Sequence, residues 1–154
     1  MQSRLAYAQV APEAYKRMLH LNAYLKKCSL EAPLLELIKL RASQINHCAF
    51  CIDMHWQDAR AAGEDEARLY LLNAWHESPC YTERERAALA WTEAVTLLSE
   101  DNVSDALYTQ VREHFSDTEI VDLTFAVVII NSWNRLSVPF RAQPGEYQPP
   151  RATE

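Results

Sequence analysis

The stretch QINHCAFCIDMHWQDARAAG, residues 44–63, brings two cysteines and two histidines together in one short segment of the chain. Cys48, Cys51 and His55 stand at positions i, i+3 and i+7, so a helix would present all three side chains on one face. Gly63 follows directly after the helix-forming residues, and glycine commonly ends a helix in the left-handed conformation. The spacing therefore predicts a helix from about residue 48 to residue 62, with both thiols at its start.

The rest of the chain also carries helix signals. Only two glycines occur in the sequence, too few for the hairpins and phosphate-binding loops of a protein rich in strands. Thr82 and Ser116 each stand three residues before a glutamate, which is the capping-box pattern of a helix N-terminus. Pro12 and Pro33 suit the first turns of two further helices. The predicted fold is all-α, with helices at about 12–27, 33–45, 48–62, 64–75, 83–99, from 105 onward, and 117–135.

The chain of 154 residues is long enough for one domain with a substantial core. We predict a single helical domain over residues 1–142 and a proline-rich C-terminal arm over residues 143–154. An internal echo between segments 36–51 and 119–134 suggests that the domain is built of two related helical hairpins. A chance match between two amphipathic helices explains the echo equally well.

Composition excludes several classes of function. The net charge of −6 makes a nucleic-acid partner unexpected. No run approaches the roughly 18 consecutive apolar residues that a membrane span needs, and the first residues lack the apolar core of a secretion signal. We therefore expect a cytoplasmic protein that contacts no membrane, in a compartment where thiols stay reduced and lasting structural disulfides are rare.

A CxxC pair in the first turn of a helix is a reactive arrangement. The unpaired N–H groups and the helix dipole favour the thiolate, and an imidazolium four residues after Cys51 adds to that effect. The thiolate is the nucleophilic form, and the second sulfur can then close a disulfide. We interpret Cys48, Cys51 and His55 as a redox centre on an all-α scaffold.

Three other interpretations use the same motif. A zinc site needs four ligands; with the CxxC pair and His55 or His47 supplying three, Cys80 and His76 are the nearby candidates for the fourth. A structural disulfide, or side chains that merely pack, also fits a CxxC motif. The isolated Cys28 and Cys80 are interpreted as small, partly buried apolar side chains.

Glu36 precedes Cys48 by twelve residues and belongs to the helix predicted before it. If the two helices form a hairpin, the Glu36 carboxylate approaches the face that carries His55 and sets the protonation of that imidazole. A glutamate on a helix is more often a solvated surface charge, and the residues alone favour that second interpretation.

The combined pattern of Glu36, eleven residues, the motif CAFC at 48–51, three residues and His55 resembles the AhpD-like alkylhydroperoxidase branch of the carboxymuconolactone decarboxylase family. The resemblance covers residues 34–99 well, including the segment LYLLNAWHESPCYTERERAALAWTEAVT. It implies an AhpD-like helical fold, usually assembled as a homo-oligomer, a trimer or a hexamer. It also implies reduction of hydroperoxides by a cysteine pair.

The resemblance implies a role for each residue at a matching position. Cys51 is the thiol that is oxidised to a sulfenic acid, and Cys48 is the proton donor and the resolving thiol that forms the Cys48–Cys51 disulfide. Glu36 and His55 form the proton relay. The substrate is a hydroperoxide, and a dithiol protein, lipoyl-bearing or thioredoxin-like, reduces the disulfide. No flavin, haem or nucleotide motif is present, so we expect no cofactor and no metal.

The sequence departs from this family at one important position. The AhpD enzymes carry a histidine just before the second cysteine, where this chain has Phe50, and His47 is not its positional equivalent. The decarboxylase branch lacks the cysteine pair, so lactone decarboxylation is not expected here. Two alternatives to a peroxidase stay open: a redox-responsive oligomeric protein without efficient turnover, and a metal-binding module.

Overall fold

The computed structural model describes residues 2–100 and 103–149 of the chain. These residues form eight α-helices and no strand, which confirms the predicted all-α fold. The last part of the predicted arm, residues 150–154, lies outside the described residues. The helices are α1 (Tyr7–Val10), α2 (Pro12–Tyr24), α3 (Ala32–Ile45), α4 (Ala49–Ala61), α5 (Glu66–Tyr70), α6 (Glu83–Thr96), α7 (Asp105–Arg112) and α8 (Asp117–Phe140), with 3-10 turns at Leu25–Lys27 and Leu71–Ala74.

Side-chain caps begin the last three helices where the sequence predicts them. The Thr82 side chain accepts the Glu85 N–H at the start of α6, and the Glu85 carboxylate accepts the Thr82 N–H in return. Ser116 and Glu119 form the same reciprocal pair at the start of α8. Ser104 caps α7 through the N–H three residues further on. Each cap satisfies backbone donors that have no partner inside the helix.

Four helices differ from the prediction by three residues or more at their C-terminal ends. Helix α2 ends at Tyr24 and α6 at Thr96, each about three residues earlier than predicted. The helix predicted at 64–75 is α-helical only from Glu66 to Tyr70 and continues as the 3-10 turn Leu71–Ala74; the Tyr81 hydroxyl donates to the Arg68 carbonyl beside this change. The last helix continues beyond the predicted residue 135 to Phe140, with Pro139 accommodated in its final turn. None of the described helices, α8 included, is long and apolar enough to cross a membrane.

Helix α3 lies at the centre of the fold and packs against α4, α6 and α8. Its apolar side chains divide between two parts of the core. Ile38 packs with Trp91 of α6 and Leu123 of α8, whereas Leu37 packs with Leu72 and other residues after α4. Because Leu37, Ile38 and Leu123 are fully buried, α3 and α8 are held in fixed positions, and so are the site residues that they carry.

Helices α3 and α4 form a hairpin through a short turn at residues 46–48. His47 adopts the left-handed conformation in this turn, with φ of 54°. Gly63 ends α4 with φ of 94°, and its N–H donates to the Arg60 carbonyl, as its predicted role as the helix cap requires. The first segment of the sequence echo, 36–51, spans α3, the turn and the start of α4, whereas the second segment, 119–134, lies within the unbroken α8. The predicted relation between two helical hairpins therefore stays a prediction.

Candidate functional site

The turn that leads into α4 is anchored to α8 by a cluster of asparagine amides, of which the two on α8 are buried. The Asn46 side chain donates to the carboxamide oxygens of Asn131 and Asn134, at 2.8 and 2.9 Å. Asn134 is almost fully buried and donates in turn to the Ser43 hydroxyl at 3.1 Å. Buried amides that are hydrogen-bonded in this way fix a local geometry. The cluster therefore sets where Cys48 and the start of α4 lie.

Cys48 and Cys51 are joined by a disulfide, with their Cα atoms 5.4 Å apart. Cys48 is the N-cap residue of α4, and Cys51 lies in the first turn of that helix. Both cysteines are only 1% exposed and pack with Ala42 and Ile130. The two sulfurs are therefore held in contact and covered by apolar side chains.

The hairpin brings Glu36 of α3 against His55 of α4. The distance from Glu36 Oε2 to His55 Nδ1 is 2.8 Å, and the second carboxylate oxygen accepts a hydrogen bond from Lys39 Nζ at 2.7 Å. The Glu36 side chain is 18% exposed, so it is not a freely solvated surface charge. His55 stands four residues after Cys51, which places it on the same face of α4, one turn further along.

The environment of Glu36 determines which nitrogen of His55 carries a proton. Burial raises the pKa of the Glu36 carboxyl, but the hydrogen bond from His55 and the charge of Lys39 outweigh burial and lower the pKa to about 2. An ionised carboxylate only accepts hydrogen bonds, so Nδ1 of His55 carries the shared hydrogen. In the neutral imidazole, Nε2 is then the nitrogen that can accept a proton.

These residues border a cavity of about 530 Å³. Its wall is mostly apolar. Phe50, Ile130 and Trp133 line it, and all three also pack in the cluster that contains both cysteines. The disulfide therefore lies directly behind one side of the cavity wall. The polar side chains of the wall include those of Glu36, Lys39, His55 and Asp58.

Asp58 belongs to this site, although it is not among the site residues predicted from the sequence. One oxygen of its carboxylate lies within 4.8 Å of ligand atoms of both Glu36 and His55. The signal was present in the sequence, because Cys51, His55 and Asp58 follow the i, i+4, i+7 spacing of one helix face. Tyr147, whose hydroxyl donates to Asp58 at 2.6 Å, has no comparable signal in the sequence.

The residues proposed for a zinc site are not brought together. Cys48 and Cys51 are bonded to each other, the Cys80 sulfur pairs with the Ser78 hydroxyl at 2.9 Å, and His76 is exposed and contacts Glu93. Among the described residues, the group that has the spacing for an ion is instead Glu36, His55 and Asp58. Their carboxylates already accept hydrogen bonds from Lys39 and Tyr147.

The fold and the cysteine pair together define a helical domain of the AhpD type. The chain belongs to the carboxymuconolactone decarboxylase family, whose sequence model matches residues 12–94, and within that family to the AhpD-like branch. The uncharacterized protein YdfG of Bacillus subtilis is 47% identical over 90% of this chain and 94% of its own length.

Solved structures show the same fold. ATU0492 of Agrobacterium tumefaciens, a protein of unknown function proposed as an antioxidant defence protein AhpD, is 46% identical. It superposes with a TM-score of 0.92 over 95% of this chain and 100% of that one. An uncharacterized peroxidase-related protein with an AhpD core, from Ralstonia eutropha, is 20% identical, with a TM-score of 0.80 over 90% of this chain and 74% of that one. At that identity the likeness concerns the fold alone.

Proposed function

We propose that this protein is a cytoplasmic, thiol-dependent peroxidase that reduces hydroperoxides through Cys48 and Cys51. The observation that carries the proposal is the 2.8 Å contact between Glu36 and His55, beside an apolar cavity. His55 lies on the same face of α4 as Cys51. The contact orients a base that stands four residues after Cys51 on one helix, and an oriented base beside the nucleophile is the arrangement that thiol activation requires. The cavity supplies an apolar space in which an organic hydroperoxide can lie.

In the first step of the proposed reaction, His55 Nε2 accepts the proton of the Cys51 thiol. The thiolate attacks the outer oxygen of the hydroperoxide, so that an S–O bond forms and the O–O bond breaks. Cys51 becomes a sulfenic acid, and the leaving alkoxide takes the proton from the His55 imidazolium and departs as an alcohol. The ionised Glu36 stabilises the imidazolium between the two proton transfers.

In the second step, the Cys48 sulfur attacks the Cys51 sulfur. An S–S bond forms and the S–O bond breaks, and the leaving hydroxide takes the Cys48 proton and departs as water. The product is the Cys48–Cys51 disulfide, which is the form seen in the structure. A dithiol protein, lipoyl-bearing or thioredoxin-like, then reduces the disulfide by thiol–disulfide exchange and is itself oxidised.

We further propose that the protein acts as a homo-oligomer, a trimer or a hexamer. The outer face of α8 exposes three large apolar side chains one turn apart, Val121, Phe125 and Val128, and Tyr24 packs beside Phe125. A continuous apolar face of this kind is typical of an interface between proteins. Light scattering measures the mass of the assembly, and a monomer at micromolar concentration would contradict this part of the proposal.

The test of the peroxidase is a stopped-flow measurement of hydroperoxide consumption with a supplied dithiol. Cys51→Ser is expected to abolish consumption, and Cys48→Ser to allow a single oxidation to the sulfenic acid without a disulfide. Cys80→Ser is the matched control, because Cys80 pairs with Ser78 outside the site. Consumption by Cys51→Ser at the wild-type rate would overturn the mechanism.

The burial of both sulfurs supports a second candidate function, a redox-responsive protein whose disulfide cycles slowly. A buried disulfide limits the access of a large reductant. The same experiment separates the two candidates. A peroxidase turns over repeatedly and rapidly with the dithiol, whereas a redox-responsive protein consumes one hydroperoxide per chain and then continues only at the slow rate at which its disulfide is reduced.

A further inference from the structure

The C-terminal segment after α8 turns back and lies on α4. The Gly145 N–H donates to Asp53 Oδ2 at 2.8 Å, and the Tyr147 hydroxyl donates to Asp58 Oδ1 at 2.6 Å. Gly145 has φ of 91°, a conformation that glycine adopts without strain, and it lies in the bend that leads to Tyr147. Two aspartates of α4, Asp53 and Asp58, are therefore the acceptors that hold this segment.

Tyr147 forms part of the cavity wall, together with Glu36, His55 and Asp58. Burial and the hydrogen bond to Asp58 raise the pKa of the Tyr147 phenol, so it remains a neutral donor at any physiological pH. The Tyr147–Asp58 hydrogen bond thus lies beside the carboxylate and the imidazole of the Glu36–His55 pair.

We propose that residues 143–149 are a strap over the cavity and that the Tyr147–Asp58 hydrogen bond is the latch that determines whether an apolar molecule reaches the Glu36–His55 pair. Tyr147 is then a residue that controls access to the site. The proposal rests on the proposed function only for the identity of the molecule that enters, an organic hydroperoxide. The closure itself depends on the contacts of the strap and on no chemical step.

The contacts of the strap suit a reversible closure. Residues 143–149 contain no helix, and Pro144, Gly145 and Glu146 are exposed. The strap is held largely by its two hydrogen bonds to aspartates, and segments with few buried contacts open at low cost in free energy. Loss of one hydrogen bond to a charged acceptor is expected to raise the open fraction about tenfold.

The first measurement is hydrogen–deuterium exchange at the Gly145 amide in the oxidised protein, without peroxide. Tyr147→Phe removes only the hydroxyl and is expected to speed this exchange about tenfold. Tyr70→Phe is the matched control, because the Tyr70 side chain is 66% exposed on α5, and it is expected to leave the exchange unchanged. A wild-type amide that exchanges as fast as a free peptide would overturn the proposal.

The second measurement is the association rate of 1-aminoanthracene, a neutral apolar fluorophore, with the same oxidised proteins. If the strap must open before the probe enters, the association rate scales with the open fraction. Tyr147→Phe is then expected to raise the rate by the same factor as the Gly145 exchange, about tenfold, and Tyr70→Phe to leave it unchanged.

Unchanged exchange and unchanged association in Tyr147→Phe show that the Tyr147–Asp58 hydrogen bond is not a latch. Faster exchange without faster association shows that the strap does not control access, and faster association without faster exchange shows that the hydroxyl acts without the strap. A probe that binds none of the proteins shows that the cavity takes no apolar ligand of this size. Each of these results overturns the proposal. Because no peroxide is present, absence of peroxidase turnover would contradict the proposed function and leave the test of the strap intact.

Discussion

Replacement of Glu36 by glutamine tests the electrostatic account of the site through the pH dependence of folding. In the folded protein the Glu36 carboxyl has a pKa of about 2 against an ordinary value of 4.5. At about 1.4 kcal/mol for each pKa unit, this difference stabilises the folded state by about 3 kcal/mol when the carboxyl is ionised. The Glu36 side chain is only 18% exposed, so solvent screens this contribution weakly.

The sign of the effect follows from the direction of the pKa change. A carboxyl whose pKa is lowered by folding contributes its full stabilisation above pH 4.5 and loses it as the pH falls through about 2. Between about pH 6 and about pH 2.5, wild type is expected to lose about 2–3 kcal/mol more free energy of unfolding than Glu36→Gln, because glutamine does not titrate.

Urea unfolding at a series of pH values, in the oxidised protein, measures this difference. Glu13→Gln is the matched control, since Glu13 forms an exposed helix-surface pair with Lys16 at 2.9 Å. That variant is expected to follow the wild-type pH dependence, because exposed ion pairs contribute little. The reasoning is refuted if Glu36→Gln shows the same pH dependence as wild type, since the carboxyl would then have an ordinary pKa in the folded protein.

Two further predictions concern the core and the disulfide. Leu123→Ala removes a fully buried side chain and is expected to lower the free energy of unfolding by about 2–5 kcal/mol in urea. Leu98→Ala, at a side chain 58% exposed, is its control, and an equal loss there would contradict the core assignment. Reduction of the Cys48–Cys51 disulfide, which joins residues three apart in sequence, is expected to lower stability by about 2 kcal/mol in thermal unfolding. An equal effect of the reductant on Cys48→Ser would show that this disulfide is not its cause.

The helices were predictable where the signal is local. The capping boxes at Thr82 and Ser116 need only residues three apart, and the glycine that ends α4 needs only its own backbone freedom. The end of α5 was not predictable in this way. The chain passes there into the 3-10 turn Leu71–Ala74, beside a hydrogen bond between Arg68 and Tyr81, which lie 13 residues apart and meet only in the folded chain. Tertiary hydrogen bonds of this kind override local helix preference.

The candidate site divides in the same way. The shared face of Cys48, Cys51 and His55 follows from helical spacing. The approach of Glu36 to His55 could be predicted only on the assumption that the two helices form a hairpin, which the sequence does not establish. Asp58 lies on the predicted face, and continuing the same helical spacing by three residues beyond His55 would have identified it. Tyr147 is 89 residues from Asp58, and no periodicity connects a residue of the arm with one on α4.

Phe50 is the residue at which this chain departs most clearly from the AhpD pattern, and its position in the structure gives that departure a physical meaning. Its ring lines the cavity and packs in the cluster that holds both sulfurs, so an apolar side chain stands where the AhpD pattern has a second imidazole. Among the described residues that line the cavity, His55 is then the one histidine. An apolar surrounding strengthens the interaction of His55 with Glu36, because charges attract more strongly where the dielectric is low. In the proposed mechanism, His55, oriented by Glu36, is therefore the one base that accepts the thiol proton. Phe50 makes the cavity beside it more apolar.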